Sequence, residues 1–354
     1  MEQRNHIKKS LLWDITRQCN LKCIHCYNSE GISTEHQLEI DLNYKSIIDK
    51  VVQAGFNHIH LLGGEPLLVK GLSDLLHYAN IQDVLISINT NGTLLTKKII
   101  NELIESNVSQ LTISLDGASE STNDAIRGNG SYKQVTENIR QTISCIEQAK
   151  STMLLQVATV VTKQNITTIH KLPKVLRNMG VKYLNVLKLY ECGNAVYNEA
   201  SLQLKNEEYL TALCRLLVES YRNQIFAQFD CKPKVLELLN LRYGFQPNYN
   251  ISNFASCNAG KRIFFMDYKG DIYPCGPFAH EVANTELTSN IFNSNCIEQL
   301  SKIEKGINDR ISQFSSSPNH VCSNCHFNEY CSGCAICYKD HDKLCETAIR
   351  LYSV

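Results

Sequence analysis

An α/β fold on a parallel sheet is the class this sequence predicts. Two observations predict it: short apolar runs alternate with stretches of helical period from residue 11 to about 189, and chemically distinctive motifs directly follow the runs. A third is length. At 354 residues the chain exceeds twice an average domain of ~150, which suggests two modules, or one barrel with an appendage.

The predicted strands, in order, are Leu11–Thr16, Asn57–Leu62, Val84–Ile88, Leu111–Leu115, Met153–Val161 and Val181–Leu189. The fifth is ambiguous, because an apolar run of that length also suits a helix. Between them, Ile47, Ile48, Val51 and Val52 make one helical face, Ile99, Ile100, Leu103 and Ile104 a second, and Val135, Ile139, Ile143 and Ile146 a third. Right-handed crossovers bring every strand's carboxyl end to one side of the sheet, where sites form. The motifs fall there: Cys19 to Tyr27, Gly63-Gly64-Glu65-Pro66, Thr90-Asn91-Gly92, Asp116-Gly117 and Cys192-Gly193.

Asn206 to about Arg222 reads as a helix with Tyr209, Leu213, Leu216 and Leu217 on one side, opening a helical bridge over residues 201–253. The preceding residues 1–200 form the first module. Residues 254–354 form a third region, rich in Gly, Asn, Ser and Cys and poor in periodic apolar positions, whose stability is expected to come from bound metal.

Charge narrows the function. Lys plus Arg and Asp plus Glu both number 35, so no net field draws in nucleic acid or an anionic membrane. No apolar run reaches the ~20 residues of a membrane span, and residues 1–6 lack a signal-peptide core. A cytoplasmic protein is expected. The 16 cysteines are too sparse for a disulfide scaffold yet cluster tightly at 19–26 and 257–345, which suggests metal sites.

Cys19-x3-Cys23-x2-Cys26 offers three thiolates without a fourth nearby. A structural zinc site is closed by four ligands, whereas a reactive site keeps a vacancy. The bland alternative is a zinc loop completed by His25, with Gly63-Gly64-Glu65-Pro66 as an ordinary turn. Spacing, the aromatic Tyr27 and the Gly-Gly-Glu-Pro run together resemble the radical S-adenosylmethionine (radical SAM) superfamily over about Leu11 to Leu189. That resemblance implies a partial (β/α)6 TIM-like barrel, a 4Fe-4S cluster on Cys19, Cys23 and Cys26, and S-adenosylmethionine (SAM) on the open iron, cleaved to a 5′-deoxyadenosyl radical. It further implies SAM contacts from Tyr27, Gly63, Gly64, Glu65 and Pro66. By the same resemblance Ser114 and Asp116 would touch the ribose and Arg127 the SAM carboxylate.

The later cysteines, Cys257, Cys275, Cys322, Cys325, Cys331, Cys334 and Cys345, resemble the Cys-rich SPASM extension of such enzymes. The resemblance implies two auxiliary iron–sulfur clusters, an outer one on Cys322, Cys325, Cys331 and Cys345 and an inner one on Cys257, Cys275 and Cys334. The inner cluster would be open or completed by Cys337. Zinc ribbons are the alternative for the Cys-x2-Cys pairs. Cys192 sits at the expected barrel mouth as a candidate substrate contact or hydrogen-atom donor, with plain packing as the commoner role. Cys145, Cys214 and Cys231 read as packing residues, and His58 and His60 as one face of a strand.

SPASM enzymes act mostly on peptides. Modification of a ribosomally made peptide, by thioether or carbon–carbon crosslinking, epimerisation or another oxidation, is therefore expected. Gly276, where sulfatase-maturing members usually carry Asp, disfavours formylglycine synthesis. With the cluster loop starting at Cys19, a leader peptide is expected to be read by a separate protein or by the barrel surface, and electrons to come from a flavodoxin or ferredoxin. The alternatives are a tetrapyrrole side chain as substrate, or a non-catalytic electron-transfer protein.

Overall fold

The computed structural model describes residues 8–29, 44–231, 233–244, 258–276, 279, 287–315, 325 and 341–352. The six expected strands are present as β1 (Ser10–Asp14), β2 (His58–Leu62), β3 (Leu85–Thr90), β4 (Gln110–Ser114), β5 (Leu154–Val161) and β6 (Tyr183–Lys188). The ambiguous fifth run is strand. Four more follow: β7 (Phe226–Phe229), β8 (Ile263–Met266), β9 (Asp271–Tyr273) and β10 (Ser289–Asn290). Their order in one ten-stranded sheet is β10-β9-β8-β1-β2-β3-β4-β5-β6-β7.

Every pair from β8 through β1 to β7 is parallel, and only β9 runs the other way, pairing antiparallel with β8 and with β10. Helices 44–53, 72–81, 97–105, 131–148 and 172–179 lie between successive strands, as the crossover reading requires. Their faces pack as expected: Ile47, Ile48 and Val51, then Ile100 and Leu103, then Val135 and Ile139 are all buried.

Two features differ from the sequence reading. The segment taken as a helical bridge contains β7, which extends the parallel sheet beyond β6. Four residues are too few for an alternation to register against the strong helix at Asn206–Arg222. The Cys-rich region also shares the core. Phe264 and Met266 of β8, with Ile272, Leu300 and Ile303, join the same hydrophobic cluster as β1 and β2, and Phe264 meets Phe56 edge-on at 5.5 Å. Metal is therefore not the sole source of order there.

The strands carry two faces. Leu11, Trp13, Ile59, Leu61, Ile88, Leu111, Ile113, Val157 and Leu184 are at most 1% exposed and pack under the helices. The alternate phase carries a polar cluster among apolar positions: register pairs His60 with Ser87, Asn89 with Thr112, and Thr112 with Gln156 across β2 to β5. A closed TIM barrel fills its interior with bulky branched side chains. This sheet instead turns hydrogen-bonding groups to its inner face.

Candidate functional site

Cys19, Cys23 and Cys26 occupy the loop after β1, at the carboxyl end of the sheet. Several elements fix that loop. The Gly64 amide donates to the Thr16 carbonyl (2.6 Å) and the Glu65 amide to the Gln18 carbonyl (2.7 Å), so the turn after β2 lies flat against residues 16–18. A Cβ on Gly63 would overlap the Thr16 oxygen and one on Gly64 the Gln18 oxygen. The glycines are thus required by close backbone approach within the chain. Replacing Gly64 with Ala is expected to push the loop away and cost about 3 kcal/mol of stability, with reduced iron retention. A thermal midpoint and iron content equal to wild type would show that the packing is dispensable.

Glu65 is fully buried. Its Oε1 accepts from the Thr90 hydroxyl (2.7 Å) and the Leu67 amide (3.1 Å), and its Oε2 from the Asn91 amide (2.8 Å). Burial pushes its carboxyl pKa up, against these donors. Glu65 therefore ties the loop after β2 to that after β3. Asn91 continues the tie, donating to Asn20 Oδ1 at 2.9 Å and approaching Cys19 Sγ at 3.8 Å. Pro66 opens the short 3-10 turn Pro66–Leu68.

On the other side, Asp116 is a fully buried hub. Its Oδ2 lies 2.6 Å from Arg127 Nε and 2.9 Å from His25 Nε2, and its Oδ1 accepts from the Val160 amide at 2.7 Å. Burial alone would raise the Asp116 pKa, but Arg127 and then His25 hold it well below the carboxylate range. Arg127 Nη1 is 4.0 Å from Cys23 Sγ. In this structure the oxygens of Asp116, expected at the ribose, face groups of the chain itself. Arg127 likewise has its Nε committed to Asp116 and an outer nitrogen toward a cysteine sulfur. Ser114, at the end of β4, is half-buried on the polar inner face.

Tyr27 donates its hydroxyl to Asp14 Oδ1 (3.2 Å), and Asn28 donates to Asp14 Oδ2 (2.8 Å). The phenol is thereby engaged with the end of β1. Burial raises the Asp14 pKa to about 7.

The loop after β6 supplies residues that the sequence reading missed. Asn194 donates from its amide to the Cys26 carbonyl (2.9 Å) and from its side chain to the Cys23 carbonyl (2.9 Å), while the Asn198 side chain donates to the Ile24 carbonyl (3.1 Å). Gly193, at φ +58, lies where a Cβ would strike the Cys26 and Tyr27 carbonyls. An asparagine just after a glycine on the mouth side was the available signal. Cys192, half-buried beside this contact, lies close enough to Tyr27 to raise its pKa. Across the loop, Arg17 stacks over the Tyr268 ring at 4.7 Å, joining it to the β8–β9 turn.

The three thiols suit a multi-iron cluster. Burial raises all three pKa values, Cys26 to about 12, and each thiol's charge would oppose its neighbours'. That is the reverse of an activated nucleophile, whereas metal ligation deprotonates a thiol outright. Among the described residues, no three His, Cys, Asp or Glu side chains converge on a single ion. His25 is turned to Asp116, so a zinc site completed by His25 does not fit. A four-iron cluster binds each thiolate through a different iron and needs no such convergence.

Of the later cysteines, Cys275 and Cys325 are half-buried and Cys345 is buried. Cys257, Cys322, Cys331, Cys334 and Cys337 lie outside the described residues. Cys145 and Cys214 are buried, as packing residues should be, and Cys296 joins them in the core. No helix among the described residues is long and apolar enough to cross a membrane.

Comparison with known proteins agrees with this geometry. The mycofactocin maturase MftC of Mycolicibacterium smegmatis is 27% identical over 76% of this chain, which spans 64% of that protein's length. The AdoMet-dependent heme synthase of Methanosarcina barkeri is 26% identical over 75% of this chain and 76% of its own. Among solved structures, Streptococcus suis SuiB bound to S-adenosylmethionine superposes with a TM-score of 0.69 at 19% identity, covering 94% of this chain and 75% of SuiB. Native anSMEcpe with bound AdoMet gives 0.68 at 18% identity, over 97% and 96%. The last two speak to the fold. Residues 13–171, a little under half of the chain, match the family model of the radical SAM superfamily.

Proposed function

We propose that this chain is a radical SAM enzyme that abstracts hydrogen from a ribosomally made peptide. The observation that carries the reading is the loop of three buried thiols, clamped from four sides, with Arg127 beside Cys23. When bound, a 4Fe-4S cluster with SAM supplies a one-electron cleavage that yields a 5′-deoxyadenosyl radical. The chain's own residues do the rest. Cys19, Cys23 and Cys26 hold the cluster, Arg127 sets a positive charge against one ligand sulfur, and Asp116 keeps that guanidinium in place. Glu65 and Asn91 fix the cluster loop to the strands beneath it, while Asn194 and Asn198 fix it to the mouth. Gly63, Gly64, Pro66, Tyr27 and Ser114 would contact SAM.

A peptide substrate is supported by the M. smegmatis relative, itself a maturase, and by the fold shared with SuiB, which has been solved with the precursor peptide SuiA. Auxiliary clusters on the later cysteines, a separate leader-binding protein, a flavodoxin or ferredoxin donor and a substrate-facing role for Cys192 complete the proposal.

Anaerobically reconstituted protein is expected to be brown, to form 5′-deoxyadenosine when reduced with SAM, and to remove hydrogen from a peptide encoded beside its gene. Mass spectrometry reads both products. A colourless, zinc-loaded protein that leaves SAM intact would end the reading.

A further inference from the structure

The hydrogen bonds described above clamp the cluster loop from the barrel side, through the loops after β2, β3, β4 and β6. Another grip comes from the Cys-rich region. The guanidinium carbon of Arg17 sits 4.7 Å from the centre of the Tyr268 ring, in the turn between β8 and β9, and both residues are half-buried. A cation over an aromatic face gains more as water is removed, and a planar guanidinium stacks there as well. The exposed Lys269 approaches the same ring from within the turn, at 5.5 Å.

Both partners stand on rigid backbone. Arg17 lies between Thr16 and Gln18, whose carbonyls accept from the Gly64 and Glu65 amides at 2.6 and 2.7 Å, and the Gln18 amide donates to the Thr16 hydroxyl at 3.0 Å. The Tyr268 turn is closed by Asp267, whose Oδ1 accepts from the Lys269 amide (2.9 Å) and the Asp271 amide (3.0 Å). Gly270, at φ +86, completes it, with Ile291 and Phe292 packed where a Cβ would stand. A ring held on a fixed turn can therefore set the position of a side chain two residues before Cys19. Arg17 is also felt at the end of β1: burial lifts the Asp14 pKa, and the Tyr27 hydroxyl and then the Arg17 charge oppose it.

Two other barrel cations meet rings of the same region and separate loop positioning from simple docking. Lys9 Nζ, just ahead of β1, lies 4.8 Å from the centre of the Phe56 ring and 4.6 Å from that of Phe264. Lys50 Nζ, on the helix at 44–53, donates to the Ile291 carbonyl at 3.1 Å and lies 5.6 Å from the centre of the Phe292 ring. Of the three, Arg17 alone stands on the segment that leads into Cys19. We propose that Arg17 is a positioning residue for the cluster loop and acts through the face of the Tyr268 ring, so that the Cys-rich region helps to set the order of residues 19–26. The proposal goes beyond the hydrogen-abstraction reading and concerns the loop whatever the substrate.

Hydrogen exchange of residues 19–28 in the full-length protein tests it, read both on anaerobically reconstituted protein and on metal-free protein. Arg17→Met and Tyr268→Leu should each speed exchange there about fivefold. The double variant should exchange no faster than either single one, because both remove the same contact. Tyr268→Phe should match wild type. Phenylalanines carrying one, two and three fluorines at position 268 keep the shape of the ring while draining its negative face, so exchange should quicken stepwise, a trend that packing alone would not produce. Lys50→Met, which loosens the docking at another point, should stay within about twofold of wild type. Wild-type exchange in Arg17→Met, faster exchange in Tyr268→Phe, effects that multiply in the double variant, a flat response to fluorination, or Lys50→Met equal to Arg17→Met would overturn the proposal. Because metal-free protein is included, a chain that binds no cluster and leaves SAM intact would end the functional reading and leave this test standing.

Discussion

Cys23→Ser is expected to remove SAM cleavage almost entirely, with a fall of at least about 10³-fold, or more than ~4 kcal/mol of barrier. Cys23 is the most buried of the three loop thiols and the one nearest Arg127. A serine hydroxyl is a far poorer donor to iron than a thiolate, and two remaining ligands cannot hold a four-iron cluster firmly. Iron per protein and the visible absorption should fall together with 5′-deoxyadenosine yield. Cys19→Ser and Cys26→Ser should behave alike. His25→Gln should keep its iron, because His25 Nε2 faces Asp116 and takes no part as a ligand. A His25 variant that lost metal as completely as Cys23→Ser would restore the closed-zinc alternative.

Local patterns were legible and long-range ones were not. Six strands and the Cys-x3-Cys-x2-Cys loop show in the sequence because hydrophobic period and ligand spacing are written within a few residues. β7 and β8 do not, since each is four residues long and gains its identity only by pairing with β6 or β1. The ion pairing of Asp116 with Arg127 and His25 was hidden for a related reason. Both fall where cofactor contacts were expected, yet Asp116's other partner, His25, lies about ninety residues earlier in the chain, where spacing offered it only as a zinc ligand. Asn194 and Asn198 act on carbonyls of Cys23, Ile24 and Cys26, and an asparagine that serves backbone groups leaves no spacing signature. The polar inner face was half visible: His58 and His60 were read as one strand face, but the matching polar phase on β3, β4 and β5 emerges only once register aligns the strands.

Asp116→Asn should be the most damaging change that spares every cysteine. It keeps the volume and can keep the bond from the Val160 amide to Oδ1, but it presents an NH2 group to Arg127 and His25, both of them donors. Removing one partner of a buried ion pair leaves the other charge uncompensated, at about 3–5 kcal/mol. The pH dependence has a definite sign. Because the folded-state pKa lies below the unfolded carboxylate value of ~3.9, the wild-type stabilisation is complete above that value and fades as pH falls beneath it. The variant should therefore lose most of its thermal midpoint relative to wild type at pH 6 to 8 and approach wild type in acid. Stability and cluster effects separate in the double variant Asp116→Asn with Arg127→Met. With no cation left unpaired, much of the lost stability should return. The positive charge 4.0 Å from Cys23 Sγ would still be absent, so the reduction potential of the cluster should stay displaced to more negative values. If instead the single variant matched the wild-type midpoint at neutral pH, or the double variant recovered the wild-type potential, Asp116 would be no more than a bystander to the cluster loop.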